Sequence, residues 1–263
     1  MKSIESQYKN STNLNARIKI HDLYSTNSQD WHEWLFEQYQ IPEGSSVLEL
    51  GCGNGAFWLK NQQHISSGWN ITLTDFSHGM LEDLKKQLPI HDQFTYEQVN
   101  IQEIPFESHS FDVIIANHML YHVEDLDQAL SEVHRVLKDD GIFYCSTIGN
   151  SHLKEFEELV KGFDQLLGYP SAHIHADAFG LENGEDKLLK HFTKVRSTEF
   201  EDQLDIPETQ PIIDYLQSTT YELKAFLNDG LLDQFVQYLE DVKKRHNGVI
   251  SVTKSSGYFE AVK

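Results

Sequence analysis

The sequence lacks the means to staple itself with sulfur, cross a bilayer or hold a polyanion. Only two cysteines occur, Cys52 and Cys145, both in apolar strand-like surroundings; this argues against a disulfide scaffold and a structural zinc site. Basic residues are few: 21 Lys and Arg against 41 Asp and Glu give a net charge of −20. Such a chain repels phosphate backbones and anionic lipid, so DNA is not expected as a partner, RNA is disfavoured and no membrane role is expected. No stretch approaches the roughly 20 apolar residues that span a bilayer. The opening MKSIESQYKNSTNLNAR has no apolar run of signal-peptide length, so the expected compartment is the cytoplasm. The 14 histidines follow neither metalloprotease nor zinc-finger spacing, so no metal is expected. Repeats and low-complexity tracts are missing too.

What is there is an alternation of short β-branched runs and amphipathic helical segments, starting at Val47. Strands are predicted at 47–50, 71–75, 93–99, 111–117 and 141–148, with helices at 56–62, 78–87 and 126–137 and a turn at 140–141. The pattern is that of an open α/β sheet. Before it, residues 28–39 read as an aromatic-rich helix with Trp31, Trp34 or Leu35, and Tyr39 at three-to-four spacing. After it, Leu153, Phe156, Leu159, Val160, Phe163 and Leu166 mark a further helix, followed by a polar loop at 169–184. At 151–192 this segment is too long for an ordinary connection and is expected to be a lid insertion. A strand at 195–202, helices at 212–217 and 221–244, and a terminal strand at 257–262 follow. The chain thus divides into an N-terminal helical cover (1–40), a cofactor-binding core (41–150), the insertion (151–192) and a C-terminal part of the same sheet domain (193–263).

The segment VLELGCGNGAFW, 47–58, carries the most chemistry. Gly51, Gly53 and Gly55 after an apolar strand let the backbone turn sharply and approach a ligand. Glu49 sits within the strand end, and Asp75 closes the next strand, placed to accept both ribose hydroxyls of an adenosine moiety. These features admit a dinucleotide or another adenosine-containing cofactor. Asp75 has a competing reading as a helix cap. Cys52 reads as a small residue filling a tight loop, not a nucleophile, because no base is paired with it. Trp58 reads as core.

ELGCGNG, LTDFSHGML (73–81), NIQEIPFESHSFDVIIANHMLYHV (100–123) and EVHRVLKDDGIF (132–143), in that order, resemble the class I S-adenosylmethionine-dependent methyltransferases over roughly residues 42–148. The resemblance implies an α/β, Rossmann-like, seven-stranded, mostly parallel sheet with the last strand antiparallel. It also implies S-adenosyl-L-methionine as cofactor, with S-adenosyl-L-homocysteine as product. Carried over by position, Glu49, Gly51, Cys52 and Gly53 would surround the methionine part. Asp75 would hold the ribose, Phe76 would lie against the adenine, and Asn100 with Ile101 would meet the adenine amino edge. Asn100 stands where relatives usually have Asp, which keeps an acceptor but gives up charge assistance. Asn117 would border the transferred methyl.

Methyl transfer from a sulfonium is a direct displacement, so alignment and exclusion of water are the main tasks, and a general base is needed only when the acceptor must lose a proton. His118, Tyr121 and His122 follow the fourth strand and are the expected catalytic, acceptor-facing residues, with His118 the preferred base; His122 has a competing reading as a buried imidazole that orients the loop. In the N-terminal segment, Tyr8, Arg17, His21 and Tyr24 are candidate acceptor-site or lid residues, Arg17 meeting a carboxylate or other anion. The competing picture is a surface helix held by Trp31 and Trp34 with Arg17 in solvent.

Three functions compete. The leading one is methylation of an O, N or C atom of a small-molecule acceptor by a monomer or homodimer. An RNA or protein methyltransferase is the second; its support is the +3 charge of residues 1–20 against −23 for the remainder, with no interleaving of aromatic and basic residues. The third is a non-catalytic S-adenosylmethionine-binding protein. A dehydrogenase is disfavoured because Glu49 and the 100–123 segment would have no role in it.

Overall fold

The computed structural model describes residues 12–88, 93–167, 169, 172–219, 225 and 230–263; Tyr8 lies outside them. Short apolar strands that alternate with helices bury both faces when they pair in parallel and the crossover helices cover them. Here β1 (Ser46–Leu50), β2 (Asn70–Asp75), β3 (Phe94–Gln98), β4 (Phe111–Asn117), β5 (Leu137–Ile148), β6 (Lys194–Ile206) and β7 (Ile250–Val262) form one sheet. Its order is β3-β2-β1-β4-β5-β7-β6. The first five strands run parallel, and β7 enters antiparallel between β5 and β6, as the resemblance implies. The order reverses between β1 and β4, which opens a crevice beyond the carboxyl ends of these strands.

Alternation along the strands divides the core. Leu48, Leu50, Ile114, Ala116, Phe143 and Cys145 pack on one face with Ala129, Leu130 and Val133 of α5 (Leu126–Val136). Val47, Ile71, Leu73, Val113 and Ile115 pack on the other with Trp31, Leu35 and Tyr39, from α2 (Trp31–Gln38) and its C-cap, Phe57 and Trp58 of α3 (Ala56–Lys60), and Leu81 and Leu84 of α4 (His78–Gln87). Helix α2 starts three residues later than its periodicity suggests. Asp30 fixes the start by accepting from the N–H groups of His32 and Glu33, which leaves residues 28 and 29 outside the helix.

The late strands are much longer than their alternation shows. β6 and β7 pair over 13 residues each, whereas β7 meets β5 only over 256–262. The free half of this hairpin carries Leu204, Ile206, Ile250 and Val252 into a third core. There they meet Ile20 of α1 (Thr12–Tyr24), Phe156 and Val160 of α6 (Lys154–Phe163), Ile212 and Leu216 of α9 (Thr209–Thr219), and Phe235 and Leu239 of α10 (Leu232–Arg245). Polar residues on the exposed face of β6, Glu199, Glu201, Gln203 and Asp205 among them, hide this half from a hydropathy reading. The predicted loop at 169–184 contains α7 (Ala172–Phe179), and α8 (Gly184–Leu188) follows it. The predicted turn at 140–141 lies within β5, where the register jumps from Phe111↔Leu137 to Val113↔Ile142 and the intervening residues bulge. Among the described residues no helix is long and apolar enough to cross a membrane.

One side chain ties the 100–110 segment to the sheet. Arg135 of α5 donates to the carbonyls of Phe106 and Ile104, both at 2.8 Å, and forks onto Glu132, whose carboxylate also accepts from the Ile104 N–H. Replacing Arg135 with Met removes the donors of two carbonyls. At about 0.5–1.5 kcal/mol per hydrogen bond, the expected loss is about 1–3 kcal/mol, seen as a lower urea midpoint at unchanged m value.

Candidate functional site

The glycine loop leaves β1 with Gly51, Gly53 and Gly55 at φ of 71°, 55° and 74°, a region L side chains avoid. Space is also tight. A Cβ on Gly51 would lie 2.9 Å from Met119 Cγ, and one on Gly53 would lie 3.2 Å from Leu14 Cδ2 of α1. Helix α1 therefore crosses the loop, and Asn54 Nδ2 donates to Asn15 Oδ1 at 2.7 Å. The Cys52 N–H donates to the Thr74 carbonyl, which joins the loop to β2. Burial pushes the Cys52 thiol up, and the charges of Glu49 and Asp75 push it further; the neutral thiol suits a filler.

Two carboxylates face this loop. Glu49 is 2% exposed and accepts from the Trp58 indole N–H at 2.6 Å, so Trp58 is core and also the partner of Glu49. Burial pushes Glu49 up to about 7 against the Trp58 hydrogen bond, and the charge of Asp75 adds to the rise. Asp75 accepts from the Gly53 N–H at 2.9 Å and the Ser77 N–H at 2.7 Å. Burial raises its pKa while these two bonds oppose the rise. The cap of α4 is Ser77, which accepts from Met80 N–H; Asp75 instead locks the loop to β2. Next to it Phe76 is 50% exposed. Ile101 is buried in the core. The Asn100 side chain is exposed, and its Oδ1 accepts from the Gln102 N–H.

At the end of β4, Asn117 Oδ1 accepts from the Tyr39 hydroxyl at 2.8 Å. Asn117 Nδ2 is buried without a hydrogen-bond partner; it is near enough to Glu49 to favour that carboxylate's charged form, but the geometry of a regular bond is not met. His118 follows at φ 50°, a strained conformation for a residue with a Cβ. It is held there because its N–H donates to Ser146 O and Oγ. Its ring lies 5.2 Å from Trp31, and burial, with His32 and Lys254 adding, lowers its pKa to about 3.

Tyr121 and His122, in the short turn Leu120–His122, belong to a different group. Their rings lie 5.0 Å from that of His175 on α7, and the positive charges of His175 and Arg17 add to the burial that lowers His122 to about 3. Arg17 is thus placed with these rings and not in open solvent. His21, one turn along α1, stacks at 6.1 Å on His152. Tyr24 points away, donating to Glu208 at an exposed position. The structure therefore gathers Glu49, Asp75, Asn117 and the loop in one place, sets His118 beside Trp31, and separates Tyr24 from them. Sequence reasoning missed Tyr39 as the partner of Asn117, Trp58 as the partner of Glu49, and His152. The last had a usable signal, since it follows the carboxyl end of a parallel strand. A surface cleft lined by Pro42, Gly44, Asp112 and Asp140 holds none of these groups. Among the described residues, no group of three or more His, Cys, Asp or Glu is arranged to hold a metal ion.

Residues 48–145 match the family model of the methyltransferase domain. Curated relatives include the demethylmenaquinone methyltransferases of Lactobacillus johnsonii, 27% identical over 57% of this chain and 66% of the relative, and of Symbiobacterium thermophilum, 28% identical over 44% and 48%. The chain thus spans about half to just under two thirds of these relatives. Similar solved structures include the YcgJ protein of Bacillus subtilis, 18% identical with a TM-score of 0.56 over 88% of this chain and 97% of that one. Another is phosphoethanolamine N-methyltransferase 2 of Haemonchus contortus in complex with S-adenosyl-L-methionine, 18% identical with a TM-score of 0.57 over 99% and 59%. At such identities the structural likeness speaks for the fold, and it agrees with the domain match and with the four ordered motifs. Through residues 48–145 the chain is similar to the methyltransferase domain, and its sheet has the strand order that the resemblance to the class I S-adenosylmethionine-dependent methyltransferases implies.

Proposed function

We propose that the chain moves the methyl group of S-adenosylmethionine to an O, N or C atom of a small-molecule acceptor by direct displacement. The observation that carries this reading is the pair of carboxylates, Glu49 buried and Asp75 half-buried, at the reversal of strand order, with Asn117 Nδ2, which lacks a regular hydrogen bond, beside them. Such a pair of acceptors fits a ligand that brings both a cation and vicinal hydroxyls. Bound S-adenosylmethionine supplies an electrophilic methyl on a sulfonium. Glu49 holds the ammonium end, with Gly51, Cys52 and Gly53 as the surrounding loop, and Asp75 accepts from the ribose hydroxyls. Phe76 flanks the adenine, and Ile101 with the remaining lone pair of Asn100 Oδ1 meets its amino edge. Asn117, steadied by Tyr39, borders the methyl.

His118, Tyr121 and His122 face the acceptor. With its pKa lowered to about 3, His118 stays uncharged at neutral pH and free to accept a hydrogen bond from an acceptor O–H or N–H. Contact of α1 with the glycine loop, and of α7 with the Tyr121–His122 turn, supports residues 1–40 and 151–192 as covers over the two ends of the site. A small acceptor is supported by the curated relatives, named as demethylmenaquinone methyltransferases, and by the charge of −20, which opposes RNA.

Glu49 gives the reading a pH signature. Free Glu49 titrates near 7, whereas a bound cation favours its ionised form and lowers that value. Calorimetric affinity for S-adenosylhomocysteine, which keeps the ammonium, is therefore expected to weaken as pH falls below about 7, by up to about tenfold per unit, and Glu49→Gln is expected to bind weakly with this dependence gone. Incubation with methyl-labelled S-adenosylmethionine and a metabolite extract, alongside total RNA, is expected to label the small molecules; label in RNA alone would sink the small-acceptor reading. Once a labelled acceptor is in hand, His118→Gln is expected to slow transfer by about 100-fold or more if the acceptor must lose a proton, at unchanged S-adenosylhomocysteine affinity. Unchanged turnover and pH profile would remove His118 from the base role.

A further inference from the structure

Between α1, α2 and the free half of the β6–β7 hairpin lies a cluster of polar groups that the cofactor reading does not use. His152 is 9% exposed and its Nδ1 is buried without a partner; the same holds for Nδ1 of His21 and of His32, and for Nε1 of Trp31, itself 9% exposed. The groups are contiguous. His21 stacks on His152 and meets the edge of Tyr215 at 6.4 Å. Trp31 touches His118 at 5.2 Å and Phe200 at 5.4 Å, and the Lys254 ammonium lies 5.3 Å over that Phe200 ring. Buried polar atoms left unmatched in this number cost stability unless something else meets them.

The chemistry of the missing partner follows from what the cluster offers. Trp31 Nε1 and the Lys254 ammonium are donors that cannot accept. Lys254 has one acceptor among the described residues, Asp202 at 2.6 Å, in an ion pair whose side chains are 6% and 0% exposed. That leaves two ammonium protons over. No carboxylate is spare: Asp202 also accepts from Ser25 Oγ, the Asn27 N–H and the Gln203 N–H, and Asp22 and Asp30 are both paired to Lys60. Besides burial, the charges acting on the His21, His118 and His152 rings are all positive: Lys254 and one another, with His32. Only the Ser255 backbone works the other way, at His152. In a chain of net charge −20, this is a donor-rich spot walled by flat rings.

On these grounds, and resting on the methyltransferase reading above, we propose that the acceptor is an aromatic carboxylate, its carboxylate anchored by His21, His152 and Lys254 and its ring lying against Trp31 and Phe200, which leaves the reacting atom toward His118. An acceptor-only group is what Trp31 Nε1 and the Lys254 protons left over from the Asp202 pair can take, and a neutral imidazole adds its single N–H where no backbone carbonyl holds it.

The test uses the full chain saturated with S-adenosylhomocysteine. Benzoate, phenylacetate and their 4-hydroxy derivatives are titrated by calorimetry, each beside its primary amide, which keeps the ring and removes the charge. At least one carboxylate is expected to bind, with its amide at least tenfold weaker. His21→Gln and His152→Gln are each expected to lose about tenfold or more of the carboxylate affinity while S-adenosylhomocysteine affinity holds. Amides that bind as well as carboxylates, or no binding of any carboxylate to the S-adenosylhomocysteine-loaded chain, would overturn the proposal without touching the cofactor reading. Failure of S-adenosylhomocysteine itself to bind would bring down both. The wild-type comparison of acid with amide stands even where a variant misfolds.

Discussion

A carboxylate held inside the protein at the end of the first strand governs the arrangement around it. Glu49 has a single strong donor, the Trp58 indole, and its pKa of about 7 means that ionising it inside the fold costs about 3 kcal/mol relative to water. Because the folded state holds this proton more tightly than the unfolded chain, the penalty is absent below pH 4.5, grows up to about 7 and is constant above. The fold tolerates it because the strand is fixed on both sides, by β2 through the register Glu49↔Leu73 and by β4 through Glu49↔Ile115. A cation placed against Glu49 removes most of the penalty. Binding of a positively charged group at Glu49, as proposed, would therefore be coupled to the stability of the sheet.

The same strand ends explain what a linear reading could find. Apolar runs with a glycine cluster behind the first and an acid closing the second mark the parallel half of the sheet, because strands buried on both faces need continuous hydrophobicity. Glu49, Asp75 and Asn117 stand out as candidates for that reason: each interrupts or ends such a run. Their partners were not. Tyr39 sits 78 residues before Asn117, and its hydroxyl is invisible in a pattern that counts it as an apolar helix position. His21, His152 and Lys254 come together only because the hairpin extends beyond the sheet. That extension is written in two strands, β6 with an acidic outward face and β7 with a lysine on its inward face, so alternation faded where it mattered.

The two sides of the site also differ in electrostatic character. The cofactor side is acidic and made of loop and strand ends, whereas the side below α1 is made of imidazoles and an ammonium whose counter-charge is already committed. Burial holds these histidines neutral at physiological pH. They therefore contribute shape and hydrogen-bonding capacity without adding charge.

The length of β6 and β7 has a bearing on how such a protein diverges. Their inner halves are locked into the sheet through 256–262, while the outer halves, with Asp202 and Lys254, pack on α1, α6, α9 and α10 and bond residues 25–27. Substitutions in the outer halves can accumulate without disturbing the strands that carry Glu49 and Asp75. With donor recognition proposed on β1 and β2 and acceptor recognition on the far halves of β6 and β7, a change of recipient would leave the strands of the donor site intact.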